Sequence, residues 1–147
     1  MPEPFNDEYF MNKALDEAKI AQEKGEVPVG AVVVAGGKII ARSHNLTETL
    51  NDVTAHAEMI AITAATNFLG GKYLDECILY VTLEPCIMCA GALGWAQLGK
   101  VIYGASDDKK GYHKYSEKAF HPKTKIQGGI LKNECSDLIS GFFKNKR

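Results

Sequence analysis

The run Cys77-Ile78-Leu79-Tyr80-Val81-Thr82-Leu83 constrains this chain more than any other stretch. It is rich in strand formers and lacks the polar alternation of a strand with one wet face. A strand of this kind sits centrally in a sheet covered on both sides. Helix-period patterns flank it: residues 52–68 before, and Cys86 through Ala96 after. The expected order is helix, hairpin, helix, strand, helix, strand, loop, strand or turn, helix, which describes a three-layer α/β protein with a mixed sheet.

The other elements follow from local signals. Phe10, Met11, Ala14, Leu15, Ala18 and Ala21 recur at three- and four-residue spacings, so they should form the buried stripe of a first helix. Asp7 is a candidate cap for its start, and Gly25 suits the left-handed residue that ends it. Val29–Val34 and Lys38–Ala41 flank Gly36-Gly37 and predict a β-hairpin. Asp52 or Thr54 is expected to cap the second helix, whose inner face is Ala57, Ile60, Ala61, Ala64 and Ala65. Pro85 should open the third helix, where proline is tolerated. Val101–Tyr103 and Ile126–Leu131 predict strands, residues 106–125 a lysine-rich loop, and Asn133–Lys144 a last helix with Leu138, Ile139, Phe142 and Phe143 inward.

With 147 residues and 46% of them apolar, one domain over residues 1–147 is expected. The first 25 residues are charged throughout, and no run approaches the roughly 20 apolar residues of a membrane span. Secretion and membrane insertion are therefore not expected, and a cytoplasmic location is. The net charge of −1 conceals an asymmetry. Residues 1–99 hold 6 basic and 13 acidic side chains, whereas residues 100–147 hold 11 basic and 5 acidic. A basic final third suits an anionic partner, although a solvated lysine face would look the same.

Of the four cysteines, Cys86 and Cys89 carry the chemical signal. Two thiols three residues apart on the first turn of a helix point the same way, and the helix N-terminus favours their ionised form. Together they could grip a zinc ion, and redox chemistry is the rival reading. His56-Ala57-Glu58, 30 residues before Cys86, also stands at a helix start. Three ligands, His56, Cys86 and Cys89, would leave the fourth tetrahedral position of one Zn2+ open, the arrangement of a catalytic site. Glu58 could then carry protons without being a ligand. Cys77 and Cys135 read as buried thiols, and His44, His113 and His121 as non-ligands.

The pattern His56-x-Glu58…Pro85-Cys86-x-x-Cys89 resembles the zinc deaminases that act on nucleobases. With Glu26–Val32, Leu79–Ala92 and Gly129–Leu131, it makes nearly the whole chain similar to the cytidine deaminase-like superfamily. Within that superfamily it most resembles the tRNA-acting adenosine deaminases. The resemblance implies a three-layer α/β/α fold with a central mixed sheet of about five strands. It also implies one Zn2+ per subunit, a cytoplasmic homodimer, and an anticodon loop of tRNA as partner. The implied reaction is hydrolytic: Glu58 moves a proton from a zinc-activated water to the purine ring and then protonates the departing amine, turning adenosine into inosine. Backbone N–H groups at Ala57 and Cys86 would steady the developing oxygen charge.

By the same resemblance, Asn45 contacts the purine, while Pro28, Val29 and Ala31 wall its pocket. Asp107 touches a ribose hydroxyl, and Lys109, Lys110, Lys144, Lys146 and Arg147 neutralise phosphates. Glu84 is assigned a structural part in the turn into Pro85. Ala90-Gly91-Ala92-Leu93-Gly94 offers a small-residue face for a subunit contact. Trp95-Ala96 is instead similar to guanine deaminases, so a deaminase of free purines or nucleosides stands as the alternative. A zinc-stapled binding module without chemistry is a third reading, which Glu58 and the open metal position disfavour.

Overall fold

The computed structural model describes residues 5–145, in which four helices cover both faces of a five-stranded sheet. Helix α1 spans Asp7–Glu23 and buries Phe10, Met11, Ala14, Leu15, Ala18 and Ala21, the stripe its spacing predicts. Its N-cap is Asn6, whose side chain accepts from Tyr9 N at 2.9 Å. Asp7 lies one residue inside and accepts from the Tyr80 hydroxyl at 2.7 Å. Gly25 takes its expected positive φ of 78° just beyond the helix end.

Strands β1 (Gly30–Ala35) and β2 (Lys38–His44) form the hairpin, with Gly36 and Gly37 both at positive φ in the turn. Helix α2 runs Ala57–Leu69, and β3 runs Cys77–Leu83, matching the apolar heptapeptide residue for residue. Helix α3 (Ile87–Trp95), β4 (Lys100–Ala105), a 3-10 turn at Tyr112–Lys114, β5 (Lys125–Gln127) and α4 (Lys132–Asn145) complete the chain. The sheet order is β2-β1-β3-β4-β5, so the apolar run is indeed its central strand. β1 pairs antiparallel with both β2 and β3, while β3–β4 and β4–β5 are parallel.

Two cores result. Ala57, Ala61 and Ala65 of α2 and Ala90 and Leu93 of α3 pack on Ala31, Val33, Leu79, Val81 and Val101. On the opposite face, α1 residues and Cys135 of α4 meet Val32, Val34, Tyr80 and Ile102. Alternate residues of β1 and β3 thus feed opposite cores, as the period of a doubly covered strand requires. At Gly30 a Cβ would collide with the backbone of Ala14 and Ala18, so α1 crosses β1 at a distance only glycine permits.

Several expectations are corrected. Asp52 and Thr54 do not cap α2; His56 is its N-cap, and Asp52 instead accepts from Thr54 N and Oγ1 in a tight turn. Pro85 precedes α3, whose N-cap is Cys86. The last strand is shorter than Ile126–Leu131, because Gly128 lies against the Tyr103 ring and Gly129 turns at positive φ. Phe143 is exposed, Phe142 and Cys135 being the buried residues of α4. Ala90 and Leu93 are core residues, and a Cβ on Gly94 would strike the Ala119 carbonyl, so most of that small-residue face packs within the subunit.

Candidate active site

Strand directions bring the site together at one edge of the sheet. The ladder pairs Gly30 with His44, Ala31 with Val81, and Leu83 with Ala105. The start of β1 and the ends of β2, β3 and β4 therefore lie side by side. Pro28-Val29, Asn45, Glu84 and Asp107 leave the sheet at that edge, next to the N-termini of α2 and α3.

His56, as N-cap of α2, and Cys86, as N-cap of α3, face each other across these two helix starts, with Cys89 one turn into α3. His56 Nδ1 lies 3.6 Å from Cys86 Sγ and 3.5 Å from Cys89 Sγ. Among the described residues, this is the one group of His, Cys, Asp and Glu side chains arranged to hold a metal, with all three donor atoms within 4.8 Å of one another. A tetrahedral ion about 2.0–2.1 Å from nitrogen and about 2.3 Å from sulfur sets those nitrogen–sulfur separations near 3.5 Å. The donor set fits such an ion, and its two thiols and imidazole suit zinc better than a hard cation.

The site is also electrostatically prepared. The Cys86 thiol is lowered to about 4 by its hydrogen bond with Cys89, against the cost of burial and with further help from His56. His56 is raised, chiefly by its hydrogen bond with Cys86. Glu58, buried on the first turn of α2, is raised to about 7, above all by desolvation. A carboxyl held near neutrality can both take and give a proton at working pH.

The substrate-contact expectations divide. Asn45 is buried beside the metal group, and its Oδ1 accepts from Ala57 N at 2.8 Å. The Ala57 N–H expected to steady an oxyanion is thus engaged by Asn45 at the start of α2. Val29 is buried, and its carbonyl accepts from Asn45 N at 3.1 Å, so Pro28-Val29 do adjoin the asparagine. Ala31 is fully buried, in the same core cluster as Val29. Asp107 Oδ1 accepts from Lys109 N and Lys110 N at 3.1 and 3.0 Å, so it closes the turn that carries those lysines. Lys109 and Lys110 are exposed there, and Lys144 is exposed at the far end of α4. Lys146 and Arg147 lie outside the described residues.

Two buried acids emerge as organisers of the rim. Glu26 accepts from Glu48 N and Thr49 N at 3.0 and 2.6 Å, from Thr49 Oγ1 at 2.6 Å, and from Thr47 Oγ1 at 3.4 Å. It thereby pins the loop that follows Asn45. Glu84 has the structural part expected of it, but across a wider span: it accepts from Asp107 N and His113 N, both at 3.1 Å, and pairs with His113 Nδ1 at 2.5 Å. Nothing in the local pattern around Glu26 separates it from a solvated acid. His44, read as a non-ligand, pairs with Glu17 at 2.9 Å, away from the metal group.

Comparison with known proteins agrees with this geometry. The family described as MafB19-like deaminase matches residues 5–147. The tRNA-specific adenosine deaminase of Bacillus subtilis is 47% identical over 146 residues, spanning 96% of this chain and 91% of that protein. The chain belongs to the family of the tRNA-specific adenosine deaminases. A solved structure from work on A-to-I editing by tRNA:A34 deaminases superposes on the deaminase with TM-score 0.82 at 43% identity, over 88% of this chain and 98% of that one. A guanine deaminase structure from Bacillus subtilis shares 46% identity but aligns with 69% of this chain and 65% of its own, at TM-score 0.66. The five-stranded α/β architecture is thus the fold of the zinc-type deaminases that the sequence resembles.

Proposed function

We propose that this deaminase converts adenosine to inosine at the wobble position of tRNA, with one Zn2+ held by His56, Cys86 and Cys89. The observation that carries the reading is the three-donor group spaced for a tetrahedral ion, with buried Glu58 on the same helix turn. The near full-length likeness to proteins named tRNA-specific adenosine deaminase favours tRNA over a free purine.

When bound, the zinc ion supplies Lewis-acid activation of a water molecule at neutral pH. The chain's own residues supply the rest. Glu58, in a dry setting, carries one proton of the attacking water to the purine ring nitrogen beside the reacting carbon and then a second to the amine that leaves as ammonia. Asn45, fixed through Oδ1 by the Ala57 amide, has its side-chain NH2 left to meet an acceptor on the purine. Pro28 and Val29 supply apolar contact beside it, and the Cys86 amide stands at the start of α3 to face a developing oxygen charge. Asp107 contributes its second carboxylate oxygen to a ribose hydroxyl, while Lys109, Lys110 and the basic C-terminal residues Lys144, Lys146 and Arg147 neutralise phosphates.

Residues 1–147 act as one deaminase domain in the cytoplasm, paired as a homodimer. Trp95, 86% exposed at the end of α3, and Ile87 on its first turn support a subunit contact there. Sedimentation at micromolar concentration should show a dimer, and monomer alone would remove that part of the reading. The main test is incubation of the zinc-loaded protein with tRNA and with a panel of free purines and nucleosides. Inosine at the wobble base is the expected product. Ammonia release from guanine, with tRNA untouched, would replace this reading with the free-base alternative.

A further inference from the structure

The motifs leave His113 without a part, and the fold gives it an unusual setting. It stands on the loop between β4 and β5, in the 3-10 turn Tyr112–Lys114. Its side chain is 44% exposed, yet its Nδ1 is tied to Glu84, a carboxylate with no exposure at all. Glu84 also accepts the backbone N–H groups of Asp107 and His113. One buried acid therefore clamps both ends of the segment 107–113 and the imidazole it presents.

The clamp is joined directly to the metal helix. Tyr112 N donates to the Pro85 carbonyl at 2.9 Å, and Gly111 pairs with Cys86 as an isolated β-bridge. A Cβ on Gly111 would collide with the Glu84 carboxylate and the Asp107 carbonyl, so the loop is pressed onto this acid as closely as glycine allows. Lys110 is near enough to act electrostatically on His56. His113 thus occupies the rim of the site together with Lys109, Lys110 and Lys114, all exposed. Its Nδ1 is consumed by Glu84, which leaves Nε2 as the outward donor.

We propose that His113 is a phosphate-binding residue, an imidazolium fixed by buried Glu84 and offered through Nε2 to the substrate's polynucleotide backbone beside the reacting base. The assignment rests on the polynucleotide reading of the substrate given above. Geometry makes the histidine different from the lysines around it. A lysine loses several rotamers when it binds a phosphate, whereas His113 is already held by its partner and loses little. The hydrogen bond with Glu84, reinforced by its charge and by Asp108 and Asp107, raises the His113 pKa and favours the cation. The cost of burying Glu84 is met by three donors, which tie the pair to the segment leading into α3.

The test compares the wild-type zinc enzyme with His113→Gln and His113→Lys. Binding of an anticodon stem-loop RNA with adenosine at the wobble position is followed by fluorescence anisotropy across a salt series at slightly acid pH. Gln keeps a neutral donor near Glu84 but removes the charge. It should lower the slope of log affinity against log salt by about 0.7, the value for one phosphate on a single strand. It should also raise KM several-fold with kcat little changed, because a backbone contact remote from the reacting carbon acts on binding. The Lys variant should keep the wild-type slope. An unchanged slope in the Gln variant would overturn the proposal, and so would an equal loss in both variants, which would make His113 only a brace for Glu84. Failure of the wild type itself to bind this RNA would instead overturn the tRNA reading, so the two failures are distinct.

Discussion

Replacing Glu26 by Gln should destabilise the protein although neither the shape of the side chain nor the active-site residues change. Glu26 has no exposed surface, and each of its carboxylate oxygens accepts a backbone amide: Oε1 from Glu48 N at 3.0 Å, Oε2 from Thr49 N at 2.6 Å. A glutamine has one oxygen to offer. Whichever way its amide is turned, an NH2 group must face a backbone N–H. One charge-assisted hydrogen bond is lost, one donor is left unmet, and the remaining bonds become neutral ones. The expected loss is about 2–4 kcal/mol, or on the order of 10 °C in Tm for a chain of this length. Urea denaturation of the two proteins measures it.

The pH dependence supplies a second reading of the same pair. Burial pushes the Glu26 carboxyl up, but the bonds from Thr49, Glu48 and Thr47 together outweigh it and hold the group below its ordinary value. A depressed folded-state pKa stabilises the protein fully above the unfolded-state value, near ~4.5, and that contribution is lost as pH falls through the folded value. The gap between wild type and Glu26→Gln should therefore stay constant from neutrality down to about pH 5 and narrow below it. A gap under about 0.5 kcal/mol at neutral pH, or one that widens in acid, would refute this account of the loop anchor.

Two further substitutions probe the site and the helix–sheet contact. Glu58→Gln should preserve the fold and the bound zinc, measured by metal analysis, while turnover falls on the order of 10²–10⁴-fold, because the amide cannot carry the proton. Turnover that survives this change would remove Glu58 from the proton path. Gly30→Ala should cost about 3 kcal/mol or more in denaturant unfolding, since the new methyl meets the backbone of α1, which cannot turn aside as a side chain can. A near-neutral result would show that α1 can move away from β1 without loss.

Much of this protein is written locally. The buried stripe of α1, the Gly36-Gly37 turn and the whole of β3 are signals of period or backbone freedom carried by a few adjacent residues, and the fold reproduces them. The Cys86–Cys89 pair is legible for the same reason, since two thiols at i and i+3 of a helix start converge whatever surrounds them, whereas His56 meets them only through the fold. Caps were less so. Asn6 and Asp7 are both competent by chemistry, and Asp7 is taken by Tyr80, 73 positions away.

The polar interior belongs to tertiary structure alone. Glu26 and Glu84 look in sequence like any solvated acid. They become buried anchors because the chain returns donors to them from 21–23 and 23–29 positions downstream. Likewise Val29 and Ala31 both enter the core under α2 and α3, yet only the fold sets the Val29 carbonyl against the Asn45 amide, 16 positions away. Sequence determined the layers, the central strand and the Cys86–Cys89 pair, because each follows from the periodicity or spacing of near neighbours. Only the folded chain decided which acids are buried, what each loop is fastened to, and that His113 is held at the rim of the site. Those outcomes depend on distant segments meeting, and no local pattern records them.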